Sequence, residues 1–407
     1  MTPVPVSPTL MPTYAPAPVR FVSGRGTELF DDEGRRYLDF LAGIAVVSVG
    51  HANPRVADAI AGQAARLVHV SNLFHNELAE RLAGELDRLV GDLSPAGGQV
   101  FFANSGAEAN ECAIKLARRV GGPGRHVVVS ALGSFHGRTL ATLAATGQPK
   151  KHEPFRPLPE GFRSVAYGDL PALEHATGSE SVGAVLLESI QGEAGVAVPP
   201  AGYLAAVRQL CDERGILLML DEVQTGLGRT GRWFAFQHEA IRPDVVTVAK
   251  ALGNGMPIGA CWARRDVAAA FTPGDHGSTF GGQPLACAAA LATLAELQRI
   301  DAPGLATRTG SYLAERLEAV AGVASVRGKG LLLAAVLEPG LDASAVTLAA
   351  LGQGLVVNAP VPGVLRLAPP LTVSVAEVDE AVGILGAVLE DALLEMQAKA
   401  TMSAGGR

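Results

Sequence analysis

The sequence predicts an α/β fold: a large, mostly parallel sheet flanked by helices, with a smaller α/β domain beside it. Three observations predict it. Short apolar runs, Ile216 to Leu220 and Val245 to Ala249 among them, are bounded by turn residues and read as buried strands of a sheet covered on both faces. Helical patterns alternate with such runs, as crossover-connected parallel strands require. Each of the two runs also ends in a residue with chemistry to offer, Asp221 and Lys250, and the carboxyl ends of parallel strands are where ligands collect.

A lysine at a buried sheet rim needs a reason, because an unpaired ammonium there costs several kcal/mol or loses its proton. One reason is covalent: a partly neutral lysine can form an imine with a carbonyl. Pyridoxal phosphate chemistry asks for such a lysine and for an acidic partner at its ring nitrogen. Asp221 and Lys250 could divide that work; taken singly, they could equally be a structural aspartate and a helix-capping surface lysine.

Composition narrows the class. The chain has 407 residues, 48% hydrophobic and 18% charged, with net charge -7 and no basic cluster, which speaks against nucleic acid. Cys112, Cys211, Cys261 and Cys287 are scattered, without CxxC or metal-ligand spacing, and read as reduced thiols of a cytoplasmic protein with no metal site. No run approaches the roughly 18 apolar residues of a membrane span.

Five motifs in order, SGAEANE at 105–111, FHGR at 135–138, DEVQTGLGRTG at 221–231, AKALGNGMPIG at 249–259 and HGSTFGGQPLA at 276–286, resemble the class III aminotransferases of pyridoxal phosphate fold type I. The likeness runs from Phe21 to Leu389. Within that group, VRGKGLLLAAVL at 326–337 and GLVVNAPVPGVLRLAPPLTV at 354–373 are most similar to the acetylornithine aminotransferases.

Taken in order, residues 1–20 are proline-rich and read as a flexible arm that could lie on a partner subunit. Residues 21–60 are assigned to the small domain and open with a hairpin turning at Asp32-Glu33-Gly34. The run Ile44 to Val49 could reach the site; a tyrosine stands at the Ile44 position in related ornithine enzymes, whereas the acetylornithine enzymes resemble this chain. Val47 replaces an asparagine common in both groups, and nothing in the sequence explains it.

Residues 61–284 are expected to form the large cofactor-binding domain. Helical patterns span Pro54 to Val68 and Asn76 to Leu89; a strand, turn and helix then put Ser105, Gly106 and Ala107 at a helix start. That start could seat a phosphate on its free N–H groups or be a plain N-cap, and the resemblance implies the phosphate. It also implies that Phe135 stacks on the cofactor ring, that Arg138 grips the substrate's α-carboxylate, and that Glu222, Val223 and Gln224 help bind the cofactor beside Asp221. Glu193 would pair with distant Arg366 and move aside for a dicarboxylate, while Ser278 and Thr279 would reach the substrate and phosphate of a second subunit across a homodimer interface. Residues 285–398 are assigned to the C-terminal small domain, with a last helix near Val375 to Gln397 and a flexible tail at 399–407.

Gly226, Gly228 and Gly231 spell GxGxxG after a strand-like run, but no acidic residue closes a second strand about 20 residues on, so the dinucleotide reading is weak. The resemblance implies transfer of the δ-amino group of N2-acetyl-L-ornithine to 2-oxoglutarate. Its rivals are the same chemistry on carrier-protein-bound lysine or ornithine, then on ornithine or 4-aminobutyrate, and, from another class, a nicotinamide-dependent oxidoreductase.

Overall fold

The computed structural model describes residues 9–15 and 18–404. Among them, strands form three sheets. The first grows from β1 (Phe21–Arg25), β2 (Glu28–Asp31) and β3 (Arg36–Asp39). The hairpin turn falls where the sequence places it, and Gly34 there is left-handed (φ 78°).

The central sheet holds β4 (Gly98–Ala103), β5 (Val127–Ala131), β6 (Phe162–Val165), β7 (Val182–Glu188), β8 (Leu217–Asp221), β9 (Val245–Val248) and β10 (Gly259–Arg264). Their order is β4-β10-β9-β8-β7-β5-β6; β10 runs antiparallel to both its neighbours, and the remaining pairs are parallel. Every residue of β5, β7, β8 and β9 is buried, because helices cover both faces and each strand must be apolar on both sides.

The third sheet is an antiparallel set, β11 (Val323–Lys329), β12 (Leu332–Leu337), β14 (Asn358–Val361) and β15 (Val364–Leu367). Between them β13 (Leu355–Val356) leaves to pair with β3, the one parallel contact of the first sheet. N-terminal and C-terminal segments therefore share a sheet.

Helices start where capping residues stop competing conformations. Asn53 caps Pro54–Ala64, Asn76 caps Glu77–Val90 and Ser105 caps Gly106–Gly121, each accepting a backbone N–H of the first turn. The first two pack against the long helix Pro284–Arg299. The last helix, expected to close near Gln397 and give way to a tail from 399, instead continues from Val375 to Ala404. No helix breaker interrupts AKATMSA, so the pattern simply runs on. Residues 405–407, and residues 1–8, 16 and 17 of the N-terminal arm, lie outside the described residues.

Candidate active site

Three parallel strands deliver one row of side chains to the site. Glu188 of β7, Asp221 of β8 and Thr247 of β9 are register partners, so their side chains leave the same face of the sheet. The start of helix Gly106–Gly121 faces that row. Asn110, one turn into the helix, donates from Nδ2 to Asp221 Oδ2 (2.7 Å) and to the His136 carbonyl (2.8 Å), while its Oδ1 accepts the Thr247 hydroxyl (2.7 Å). Asp221 is further held by His136 Nδ1 (2.9 Å) and the Val223 N–H (3.0 Å). His136 Nε2 is buried without a partner among the described residues.

Glu188, Asp221, Asn110 and His136 line a cavity of about 380 Å³ with Val46, Ser105, Gly106, Ala107, Phe135, Arg138, Glu193, Val223, Gln224 and Lys250, and Thr247 supports Asn110 from behind. That size suits a small ligand held mostly by the protein. Lys250 lies two residues past the end of β9, in a left-handed backbone conformation (φ 44°) that is costly for a side-chain-bearing residue. Its amine has no hydrogen bond or ion pair among the described residues, and burial lowers its pKa to about 8. Roughly a tenth of it is neutral at pH 7, far more than an ordinary lysine offers, and that fraction is a competent nucleophile.

Gly253-Asn254-Gly255 completes the loop behind it. Asn254 is also left-handed (φ 47°), and its side chain accepts the Val49 N–H (3.0 Å) and donates to the Gly50 carbonyl (3.1 Å). One asparagine thus tolerates the torsion and ties the lysine loop to the N-terminal segment.

Charge is arranged at two places. Arg366 of β15, 1% exposed, meets Glu193 at 2.6 Å and also donates to Gln224 Oε1 (3.2 Å) and Asn358 Oδ1 (3.1 Å). Burial acts to raise the Glu193 carboxyl, but the Arg366 guanidinium outweighs it and holds the group below its ordinary range. Arg138 is exposed, lies 5.7 Å from the centre of the Phe135 ring and has no carboxylate partner among the described residues. Its fork is free for an incoming carboxylate.

Not every expected site residue joins the cavity. Glu222 does not line it: strand alternation turns its carboxylate to the opposite side of Asp221, where Ser189, Thr225 and the Ala235 and Phe236 N–H groups bind it. Thr279 is exposed outside the lining, and Ser278 touches it only through Asn104, whose Nδ2 donates to Ser278 Oγ (3.3 Å). Of the run Ile44 to Val49, Val46 reaches the wall. Conversely, sequence reading passed over Asn110 and Thr247; spacing four from Gly106 on one helix face was the available signal for Asn110. The glycines at 226, 228 and 231 sit in successive turns, with no helix N-terminus to receive a pyrophosphate.

A buried aspartate at strand ends, a depressed lysine across from it and a glycine-lined helix start define a site for a cofactor with a phosphate and a basic ring. Such a group fits: a Cβ on Gly106 would come within 2.9 Å of Val223, so the glycine keeps that cradle open. The class-III aminotransferase family model matches residues 10–389, and the chain belongs to that family of pyridoxal-phosphate-dependent transaminases. It is similar to acetylornithine aminotransferase of Methanothermobacter thermautotrophicus, 48% identical over 94% of this chain and 96% of that one. The acetylornithine aminotransferase of Corynebacterium efficiens is also 48% identical, over 94% of this chain and 95% of its own. Among solved structures, ornithine aminotransferase from Toxoplasma gondii superposes with a TM-score of 0.90 at 34% identity, covering 95% of this chain and 94% of that one.

Proposed function

We propose that this protein moves the δ-amino group of N2-acetyl-L-ornithine to 2-oxoglutarate, and that Lys250, Asp221, Arg138, Glu193 and Arg366 carry the work. The single observation behind the substrate reading is the Glu193–Arg366 pair at 2.6 Å, set in the same cavity as Lys250 and the unpaired Arg138. With the pair closed, the Arg366 charge is cancelled and an amine-bearing, singly charged donor can lie along the cavity with its carboxylate on Arg138. With Glu193 displaced, Arg366 becomes a second carboxylate site and 2-oxoglutarate fits. The names of the similar proteins support acetylornithine as the donor.

Bound here, pyridoxal phosphate supplies the carbonyl that accepts the substrate nitrogen and a ring that takes up an electron pair. Ser105, Gly106 and Ala107 would hold its phosphate on the helix N-terminus, Phe135 and Val223 its ring faces, Gln224 a ring oxygen, and Asp221 its ring nitrogen in protonated form. Lys250 Nζ would hold its carbonyl carbon, and as a free amine would take the proton from the amine-bearing carbon of the substrate. The cavity wall of Val46, Ile190, Met256 and Ile258 keeps water away from that carbon. The active unit in this reading is a homodimer, in which Ser278 and Thr279 complete the partner's site, and its location is the cytoplasm. Among the described residues no helix is long and apolar enough to cross a membrane.

Rapid-mixing measurement of the separate half-reactions tests the proposal. Arg138→Ala should slow the acetylornithine half-reaction about a hundredfold and the glutamate half-reaction less, because Arg366 still holds one of the two carboxylates, whereas Arg366→Leu should slow the glutamate half-reaction and spare the acetylornithine one. Equal losses in both, or faster turnover on ornithine or on a carrier-bound lysine than on acetylornithine, would overturn it.

A further inference from the structure

Glu188 is a buried acid that the chemistry above leaves without a task. It ends β7 as the register partner of Asp221, so two carboxylates stand side by side on one face of the sheet, 7% and 3% exposed. Their environments differ sharply. Asp221 receives Asn110 Nδ2, His136 Nδ1 and the Val223 N–H. Among the described residues, Glu188 receives one side-chain hydrogen bond, from the Phe135 N–H to Oε2 at 3.1 Å, although it lines the cavity.

Two adjacent buried carboxylates do not both ionise readily, and the one with fewer donors keeps the proton. Glu222 is the internal comparison: it is also buried, and although Ser189, Thr225, Ala235 and Phe236 all donate to it, burial still holds its carboxyl above the ordinary range, whereas Glu188 has one donor to set against the same penalty. The other charged groups facing Glu188 are Lys250, which favours ionisation, and Glu193, which opposes it. Burial first and the Asp221 charge second push the Glu188 carboxyl well above its ordinary range.

We infer that Glu188 stands in the folded protein as a neutral carboxylic acid: its carbonyl oxygen accepts the Phe135 N–H, and its O–H is a hydrogen-bond donor presented to the cavity. The acid has two consequences. It fixes the loop that carries Phe135, and it gives the cavity a donor beside Asp221 that repels no anionic edge of a bound group. The inference rests on the pyridoxal phosphate reading only for what accepts that hydrogen bond.

Three measurements on the holoenzyme test it. The infrared difference spectrum between wild type and Glu188→Gln at neutral pH should contain the carbonyl band of a protonated carboxylic acid, lost in the variant; its absence overturns the proposal. Glu188→Gln, which keeps a donor and no charge, should bind cofactor within about threefold of wild type, whereas Glu188→Met, which has no donor, should bind it about tenfold more weakly. Gln as damaging as Met would overturn it.

The third readout is the melting temperature against pH. A raised folded pKa means that the stabilisation is complete below the unfolded value, about 4.3, and is lost as pH rises toward the folded one. Glu188→Gln should therefore gain on wild type steadily as pH rises from the unfolded value toward neutrality. A constant gap overturns the proposal. None of the three requires turnover, so failure of the acetylornithine assignment would leave them untouched.

Discussion

At the scale of single residues, Lys250 shows what the site costs the fold. Its backbone is left-handed and its amine is buried without a counter-ion. Below pH 8 the ammonium persists in both folded and unfolded chains, so the full penalty of the shift from 10.5 to about 8 applies, about 3 kcal/mol. Between about pH 8 and 10.5 the folded chain sheds the proton and the penalty fades. Cofactor-free Lys250→Met should thus be more stable than wild type at pH 7 by roughly 1–3 kcal/mol, and show little advantage above about pH 10.5. Denaturant titrations at both pH values measure it; a gain independent of pH would contradict the burial account. Lys250→Ala should lack transaminase activity and still fold.

At the scale of elements, the start of helix Gly106–Gly121 meets the end of β8 through Gly106 and Val223. Gly106→Ala forces its new methyl to within 2.9 Å of a Val223 methyl. Cofactor affinity should fall about tenfold with the far-ultraviolet dichroism unchanged, and Val223→Ala in the same chain should restore the part lost to the clash, though not the ring contact proposed for Val223 itself. Equilibrium binding of pyridoxal phosphate to the four proteins of that cycle decides the matter. Deeper in the same helix, Asn110→Ala deprives Asp221 of a donor and Thr247 of an acceptor, and should cost about 2 kcal/mol in urea unfolding.

This element also marks what was legible beforehand. Asp221 and Lys250 could be read because each closes an apolar run, and the hairpin because its turn chemistry is local. Asn110 and Thr247 could not, since what makes them matter is a partner on a distant part of the chain. The family resemblance named Glu222, yet period-two alternation next to an inward Asp221 already turned it away. Glu193 and Arg366 needed the resemblance outright: they lie on different sheets' loops and strands, and no spacing rule joins them.

Across the whole molecule, Arg229 holds the three sheets' neighbourhoods together. Fully buried, with its pKa lowered by burial to about 9, it donates to the Leu331 carbonyl (3.0 Å), the Pro369 carbonyl and Ser48 Oγ (3.1 Å). The glycines around it bend the chain into turns; Gly228 and Gly231 have φ of 91° and 94°. The motif that imitates a dinucleotide fingerprint is therefore a seat for this arginine. Arg229→Met should lower unfolding free energy by about 3 kcal/mol, and Arg229→Lys should not restore it, because an ammonium's three N–H groups radiate from one nitrogen, whereas these acceptors are reached from two nitrogens of the guanidinium fork. Urea midpoints for both variants provide the check.

The pairing of β3 with β13 adds a constraint on how the protein comes into being. A strand from the first tenth of the chain must wait for one near the last tenth, and the wall bearing Arg366 leaves the ribosome long after Lys250 does. Nascent chains stalled before that point would carry the amine and its aspartate but neither an arginine opposite Glu193 nor the fourth strand of the first sheet. Functional assembly is in this sense post-translational, since a chain ended before residue 355 lacks both the β13 partner of β3 and Arg366.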